Sequence, residues 1–210
     1  MTARKAAPMT PNERSLSRNT RWDPNTTGSP SSAVVDLARR LTPNARVLDI
    51  GCGAMASNAV YLAECGFVVD AFDSSLVAVG HALARAHQMD GQLAIWKQDL
   101  VDYTPATEYE AVLCHGVLHF LDATQWDHAI STIQRATMRS GWNSLSVFDD
   151  RLPIPHDLAP MVRRVVRQSE LQDMYREWQI VQCESCVLCD EHPGGIRHRH
   201  SITRLLARRR

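Results

Sequence analysis

A doubly wound α/β sheet of about seven strands, mostly parallel with an antiparallel C-terminal hairpin, is the fold the sequence predicts. Three observations carry it. Short runs rich in β-formers alternate with helical stretches through the first two thirds of the chain. A glycine-rich turn leads straight from the first of these runs into a helix, and after Asp150 two further strands are joined by "DEHPGG". Strand and helix in alternation imply a parallel sheet covered on both faces.

Residues 1–30 are rich in Thr, Ser, Asn, Pro and Arg and show no hydrophobic period, so they read as a flexible arm, with 31–210 as one domain. From Ser31, "SSAVVDLARRL" sets Val34, Leu37, Ala38 and Leu41 at helical spacing behind a serine cap. A strand follows at 46–50, then a helix opened by the glycine turn and closed by Gly66, then a strand "FVVDAFD", which together make a βαβ unit. The next helix carries a stripe of Leu76, Val79, Gly80 and Leu83, with Gly91 just past its end. Strands are expected at 93–97, 111–115 and 145–148, with a helix of Trp126, Ala129, Ile130 and Ile133 between the last two. Beyond Asp150 come a helical region at 161–167 exposing Met161, Val162, Val165 and Val166, and a short helix opened by a capping box from Ser169 to Gln172. Strands at 179–189 and 197–207 form the edge hairpin.

Composition narrows the function. Lys+Arg and Asp+Glu both total 23 in 210 residues and the pI is near 7.1, so no electrostatic footprint for nucleic acid or an anionic membrane exists. No stretch is long and apolar enough for a membrane span, and the first twenty residues lack a signal-peptide core. A cytoplasmic protein with a small-molecule partner, and neither nucleic acid nor membrane, is expected. In that compartment the six cysteines are free thiols or ligands rather than disulfides. Cys183, Cys186 and Cys189 recur at intervals of three beside His192. A strand sends Cys183 and Cys189 to one face and Cys186 to the other, so they are expected to be structural thiols and no metal is expected.

Gly51, Gly53 and Ala56 fit G-x-G-x-x-G/A, and Asp73 lies 22 residues beyond Gly51, which formally meets the dinucleotide fingerprint. Asp49 argues for another ligand. It stands two residues before the first glycine, where a pyrophosphate would meet a like charge, whereas a zwitterion with an ammonium and a sulfonium suits a carboxylate beside bare N–H groups. Asp49, Asp73 and Asp99 could each serve as a helix or turn cap as well.

With "VLDIGCG" at 47–53, "VVDAFDSS" at 68–75, "KQDL" at 97–100 and "AVLCHGVLHFL" at 111–121, the chain resembles a class I S-adenosylmethionine-dependent methyltransferase. The resemblance implies a Rossmann-like sheet, with Asp49, Gly51 and Gly53 at the methionyl end of the cofactor. It puts Asp73 on the ribose hydroxyls with Ser74 beside it, Gln98 and Asp99 by the adenine, and Cys114 with His115 at the reaction cleft. Within the class, "SNAVYLAECGF", "DLVDY", "YREW", the hairpin with His192 and "RHRHSITRLLARR" are similar to the TehB-type tellurite-resistance methyltransferases. Two departures stand out. Where that family's turn carries a third glycine and an Arg-Asn pair, this chain reads Ala54, Met55, Ala56, Ser57, Asn58 and is one residue longer. Where the family has arginine after the histidine, this chain has Pro193.

The expected activity is methyl transfer from S-adenosyl-L-methionine to a small-molecule acceptor, a soft one such as a tellurite-like oxyanion or a thiol, by in-line displacement. Positioning then does most of the work and no strong base is needed. An oxygen or nitrogen acceptor would need one, and His115, His119 and His192 are the candidates; His115 and His192 are the residues assigned catalytic roles. The segment after the fourth strand lacks the Asn/Asp-Pro-Pro-aromatic tetrapeptide of enzymes that methylate exocyclic or amide nitrogens. Trp22, Asp23 and the arm are candidates to fold over the cofactor. Two alternatives stay open: an NAD(P)-linked oxidoreductase using the same turn, and a methyltransferase-like binding protein without turnover, for which Met55 is the argument.

Overall fold

The computed structural model describes residues 28–87, 91–190 and 198–210. Its elements are α1 (Ser32–Ala38), β1 (Arg46–Ile50), α2 (Ser57–Glu64), β2 (Val68–Asp73), α3 (Leu76–Ala86), β3 (Leu93–Lys97) and β4 (Tyr109–His115). After them come α4 (Ala123–Arg135), β5 (Thr137–Phe148), α5 (Gln168–Met174), β6 (Gln179–Asp190) and β7 (His198–Arg208). The seven strands form one sheet in the order β3-β2-β1-β4-β5-β7-β6. Strands β1 to β5 run parallel, while β7 pairs antiparallel with both β5 and β6. The mixed α/β sheet with its edge hairpin is therefore as the sequence predicts.

The strand order reverses between β1 and β4. That is the switch point at whose carboxyl ends an open α/β sheet leaves a crevice. Apolar clusters fill both faces. One holds Val34, Leu37, Leu62, Phe67 and Leu113; the other holds Leu48, Phe72, Trp126, Ile133 and Tyr175. Among the described residues no helix is long and apolar enough to cross a membrane.

Four local expectations are corrected. The buried row of α3 is Val79, Ala82 and Ala86, whereas Leu76 and Leu83 are 68% and 47% exposed. The small residues let the helix axis approach β2 and β3 closely, and the larger side chains turn outward. Residues 161–167 are not a helix. Leu158 and Ala159 close a turn on the Pro155 carbonyl; Arg163 and Arg164 then donate to the His119 carbonyl at 2.8 and 3.3 Å, and Val166 bridges Asp149. The first turn of α5 is capped two residues earlier than expected, with Arg167 N donating to Glu170 Oε2 at 2.8 Å. Strand β5 begins at Thr137, eight residues before the expected start, and passes through Ser140 at φ 62° and a register shift against β4.

Under α4 and α5 lies a closed polar chain. The Tyr175 hydroxyl donates to Asn143 Oδ1 at 2.9 Å, Asn143 Nδ2 donates to Thr137 Oγ1 at 2.5 Å, and Thr137 Oγ1 donates to the Ile133 carbonyl at 2.9 Å. All three side chains are fully buried. Asn143→Leu leaves two buried hydroxyls short of a partner, which is expected to cost about 2–4 kcal/mol. Urea unfolding checks it: the midpoint falls while the slope stays constant.

Candidate active site

The last residue but one of β1 is Asp49, only 2% exposed. One side of its carboxylate takes the Ala59 backbone N–H from the first turn of α2. The other oxygen, Oδ2, has no hydrogen-bond partner among the described residues. Burial first, then the Asp73 charge, raises this carboxyl to about 7, against the smaller pull of the Ala59 N–H. A buried oxygen aimed at nothing in the protein asks for a ligand donor.

The turn that follows hangs on β2. Gly51 N and Cys52 N both donate to the Phe72 carbonyl at 2.8 and 3.0 Å, and Gly53 N donates to Asp73 Oδ2 at 2.9 Å. Gly51 (φ 70°) and Gly53 (φ 66°) occupy left-handed conformations that glycine adopts without strain. Asp73 Oδ1 accepts from Ser75 N at 2.9 Å, and Ser75 Oγ accepts from Ala78 N at 3.2 Å at the start of α3. Asp73 is thus half-buried and shapes both the turn and the helix entry. Ser74 beside it is exposed, as is Asp99, whose Oδ1 takes the Val101 N–H at 3.1 Å; Gln98 is half-buried and donates to the Asp99 carbonyl at 3.0 Å. These residues form an open shelf at the carboxyl ends of β2 and β3.

A cavity of about 750 Å³ opens beside the turn. Gly51, Gly53, Met55 and Asn58 line one side; His115, His119, Phe148, His200 and Arg204 line the other. Its size is that of sites which enclose organic ligands. A polar chain ties the two sides together. Asn58 Oδ1 accepts from Ser31 N at 3.0 Å, Ser31 Oγ lies 3.4 Å from His115 Nδ1, and His115 Nε2 lies 2.9 Å from Ser144 Oγ. Burial, then the Arg204 charge, lowers His115 to about 4. His119 is lowered to about 4 by burial and then by His200, and its ring stacks on Phe148 at 4.0 Å. Both rings are neutral at neutral pH. Cys52 is pushed up to about 12 by burial and by the charges of Asp49 and Asp73, so it stays a thiol.

The sequence-derived residues therefore divide. Asp49, Gly51, Gly53 and Asp73 come together around the turn, His115 borders the cavity, and Ser74, Gln98 and Asp99 lie on the shelf. Cys114 instead points into the second apolar cluster, fully buried, and is not among the cavity-lining residues. His192, Trp22 and Asp23 lie outside the described residues. Among the described residues no cluster of three His, Cys, Asp or Glu is placed to hold a metal ion. Met55, the argument for a blocked pocket, has its Sδ 3.9 Å from Arg85 Nη1, so it lies along α3 at the cavity mouth. Sequence reasoning missed His200, Phe148 and Arg204.

A family model described as "Tellurite resistance protein TehB" matches residues 22–192, well over half of the chain. The protein belongs to the TehB family. Among solved structures, TehB from Haemophilus influenzae superposes with a TM-score of 0.76 at 20% identity, covering 95% of this chain and 67% of that one. The Burkholderia thailandensis 1,6-didemethyltoxoflavin-N1-methyltransferase, solved with its substrate and S-adenosylhomocysteine, gives 0.68 at 19% identity, covering 98% and 92%. Hemagglutinin 1 of Eikenella corrodens is 26% identical over 156 residues, 74% of this chain and 51% of that protein; the chain spans about half the length of this curated relative. Its fold is shared with S-adenosylmethionine-dependent methyltransferases, and such neighbours are solved with S-adenosylmethionine or S-adenosylhomocysteine bound, the cofactor of that class of enzymes. The unpartnered Asp49 oxygen beside two left-handed glycines fits the ammonium-bearing end of that cofactor.

Proposed function

We propose that this TehB-family protein transfers a methyl group from S-adenosylmethionine to a small-molecule acceptor whose nucleophile is soft and already ionised, a thiolate or a chalcogen oxyanion. The observation that carries the reading is His115. It lines the cavity at the end of β4, and both its ring nitrogens are engaged by serine hydroxyls, at 3.4 and 2.9 Å. A ring so held, and lowered to about 4, is a poor acceptor for the proton of an alcohol or amine. An acceptor that arrives as an anion needs no base.

In this reading Asp49 takes the cofactor's ammonium, Gly51 and Gly53 give room for its methionyl end, Asp73 and Ser74 meet the ribose, and Gln98 and Asp99 meet the adenine. Cys114 packs the core behind them. When bound, the cofactor supplies the activated methyl group. The chain's part is alignment: the Asn58, Ser31, His115, Ser144 chain fixes the cavity wall against the turn, and Cys52, held as a thiol, does not compete for the methyl group. The description of the family names tellurite resistance, so tellurite is the first acceptor to assay, followed by selenite and thiols.

The test is a pH profile of methyl transfer to a thiol. At saturating S-adenosylmethionine the rate is expected to climb tenfold per pH unit up to the thiol's own ionisation, without a break near 6.5, and His115→Gln is expected to keep that shape at a reduced rate. A break between about 6 and 7 that disappears in His115→Gln would show a histidine base and overturn the ionised-acceptor reading.

A further inference from the structure

The cleft wall formed by β5 and β7 carries more than alignment requires. On β7, His200, Ile202 and Arg204 alternate onto one face, and all three line the cavity. Arg204 is the one formally charged side chain among the described lining residues. Its Nη1 donates to Ser32 Oγ at 3.3 Å, and among the described residues no carboxylate lies within ion-pair distance. Glu184, opposite Arg204 on β6, accepts instead from Gln182 Nε2 at 2.7 Å, and sits with Asp36 on a separate cavity of about 110 Å³ behind the arginine. Arg204 lines both cavities, and among the described residues its guanidinium has a hydroxyl and no carboxylate as a bonded partner, which leaves it able to take an anion from the main cavity.

The other end of the wall is aromatic. Phe120 lines the cavity while 41% exposed, edge-on to His119 at 4.3 Å; behind it the His119 ring is stacked on Phe148, and His200 meets Phe148 edge-on at 4.8 Å. Four residue steps along the strand separate His200 from Arg204, about 14 Å at the rise of an extended chain. A single oxyanion cannot touch both ends.

We propose, building on the methyltransferase reading, that the acceptor is an organic anion with a planar apolar body, its acid group held by Arg204 and its ring laid against Phe120. Strand register separates this role from cofactor binding. Arg204 pairs with Ser146, Ser146 with His115, and β4 lies next to β1, so Arg204 stands three strand spacings, about 14 Å, from the glycine turn. The carboxylate and ammonium of the cofactor share one carbon, and with the ammonium at Asp49 its acid group stays at the β1 end of the crevice.

Calorimetric binding of 2-mercaptobenzoate, thiophenol and selenite to the full chain, each with and without saturating S-adenosylhomocysteine, tests the proposal on the wild type, Arg204→Gln, Arg204→Lys and Phe120→Ala. The acid is expected to bind about tenfold or more tightly than thiophenol, the size of one charge-assisted contact. Arg204→Gln is expected to abolish that preference while leaving thiophenol and S-adenosylhomocysteine within about twofold, Arg204→Lys to restore part of it, and Phe120→Ala to weaken both thiols alike. An unchanged preference in Arg204→Gln overturns the proposal. So does a matching loss of S-adenosylhomocysteine affinity, which would put Arg204 on the cofactor, or Arg204-dependent binding of selenite with neither thiol bound. Failure of the underlying reading looks different: S-adenosylhomocysteine would not bind, while the acid still bound through Arg204.

Discussion

Asp49→Asn is expected to lower the affinity for S-adenosylhomocysteine about thirtyfold or more, the roughly 2 kcal/mol or greater loss that follows removal of one partner from a buried charge pair. The same substitution is expected to raise the thermal stability of the ligand-free protein above pH 7. Both effects have one cause. The carboxyl is raised to about 7 because burial strips its water and Asp73 adds like charge. A folded-state value above the unfolded one contributes stability that is complete below about 4 and lost as pH rises through 7. At pH 8 the empty site therefore holds a carboxylate at a cost, and an ammonium relieves it. In the wild type, affinity should climb about tenfold between pH 6 and 8 as Asp49 ionises, and Asp49→Asn should flatten that slope. Calorimetry at three pH values checks it, and equal slopes in the two proteins would remove Asp49 from the ammonium. The gain of stability with loss of binding is the exchange expected where a site is held in a strained state for its ligand.

How much of this was legible in the sequence depends on how local its cause is. The alternation of strand and helix, the glycine turn and the aspartates around it are local patterns, and the structure brings Asp49, Gly51, Gly53 and Asp73 together as those patterns imply. Of the roles open to Asp73, the structure shows turn shaping and helix entry: it holds Gly53 N and Ser75 N at once. What could not be read depends on partners far along the chain. The 161–167 segment has the apolar content of a helix, yet the His119 carbonyl, more than forty residues away, takes the N–H groups of Arg163 and Arg164 and holds it as a strap. The α3 stripe was misplaced because the sheet accepts Ala82 and Ala86 at close range and leaves Leu83 outside. Arg204 lies within a quoted motif, and its alternation with Ile202 and His200 is visible in the sequence. Which face of β7 meets the cavity, however, is set by its register against Ser146 and Phe148 of β5. Cys114 failed to reach the cleft for the converse reason: His115, its neighbour, takes the cleft face, and strand alternation turns the thiol to the core.

Gly51→Ala is the second substitution with a large expected effect, and it tests the coupling between the turn and the cleft wall. A Cβ at Gly51 would lie 2.1 Å from Val117 Cγ2, in a residue whose φ is 70°. Two penalties add: about 1–2 kcal/mol for a side chain in the left-handed region and about 1–3 kcal/mol for overpacking. The turn can escape only by moving, and its Gly51 and Cys52 N–H groups then leave the Phe72 carbonyl that fixes them. Unfolding free energy should fall by about 2–5 kcal/mol and S-adenosylhomocysteine binding should be lost with the turn geometry. Gly53→Ala is the control, since at φ 66° a Cβ there meets nothing within 4 Å and only the conformational penalty applies. Val117→Ala placed in the Gly51→Ala background removes the colliding methyls, and the pair should recover the overpacking share, a coupling of about 1–3 kcal/mol by double-mutant cycle. If the two substitutions were additive, Val117 would not press on the turn. If they couple as expected, the residue after the His115–Gly116 strand end is what holds the turn in its binding shape, so a ligand that displaces Val117 from the acceptor side alters cofactor affinity and, by linkage, the reverse.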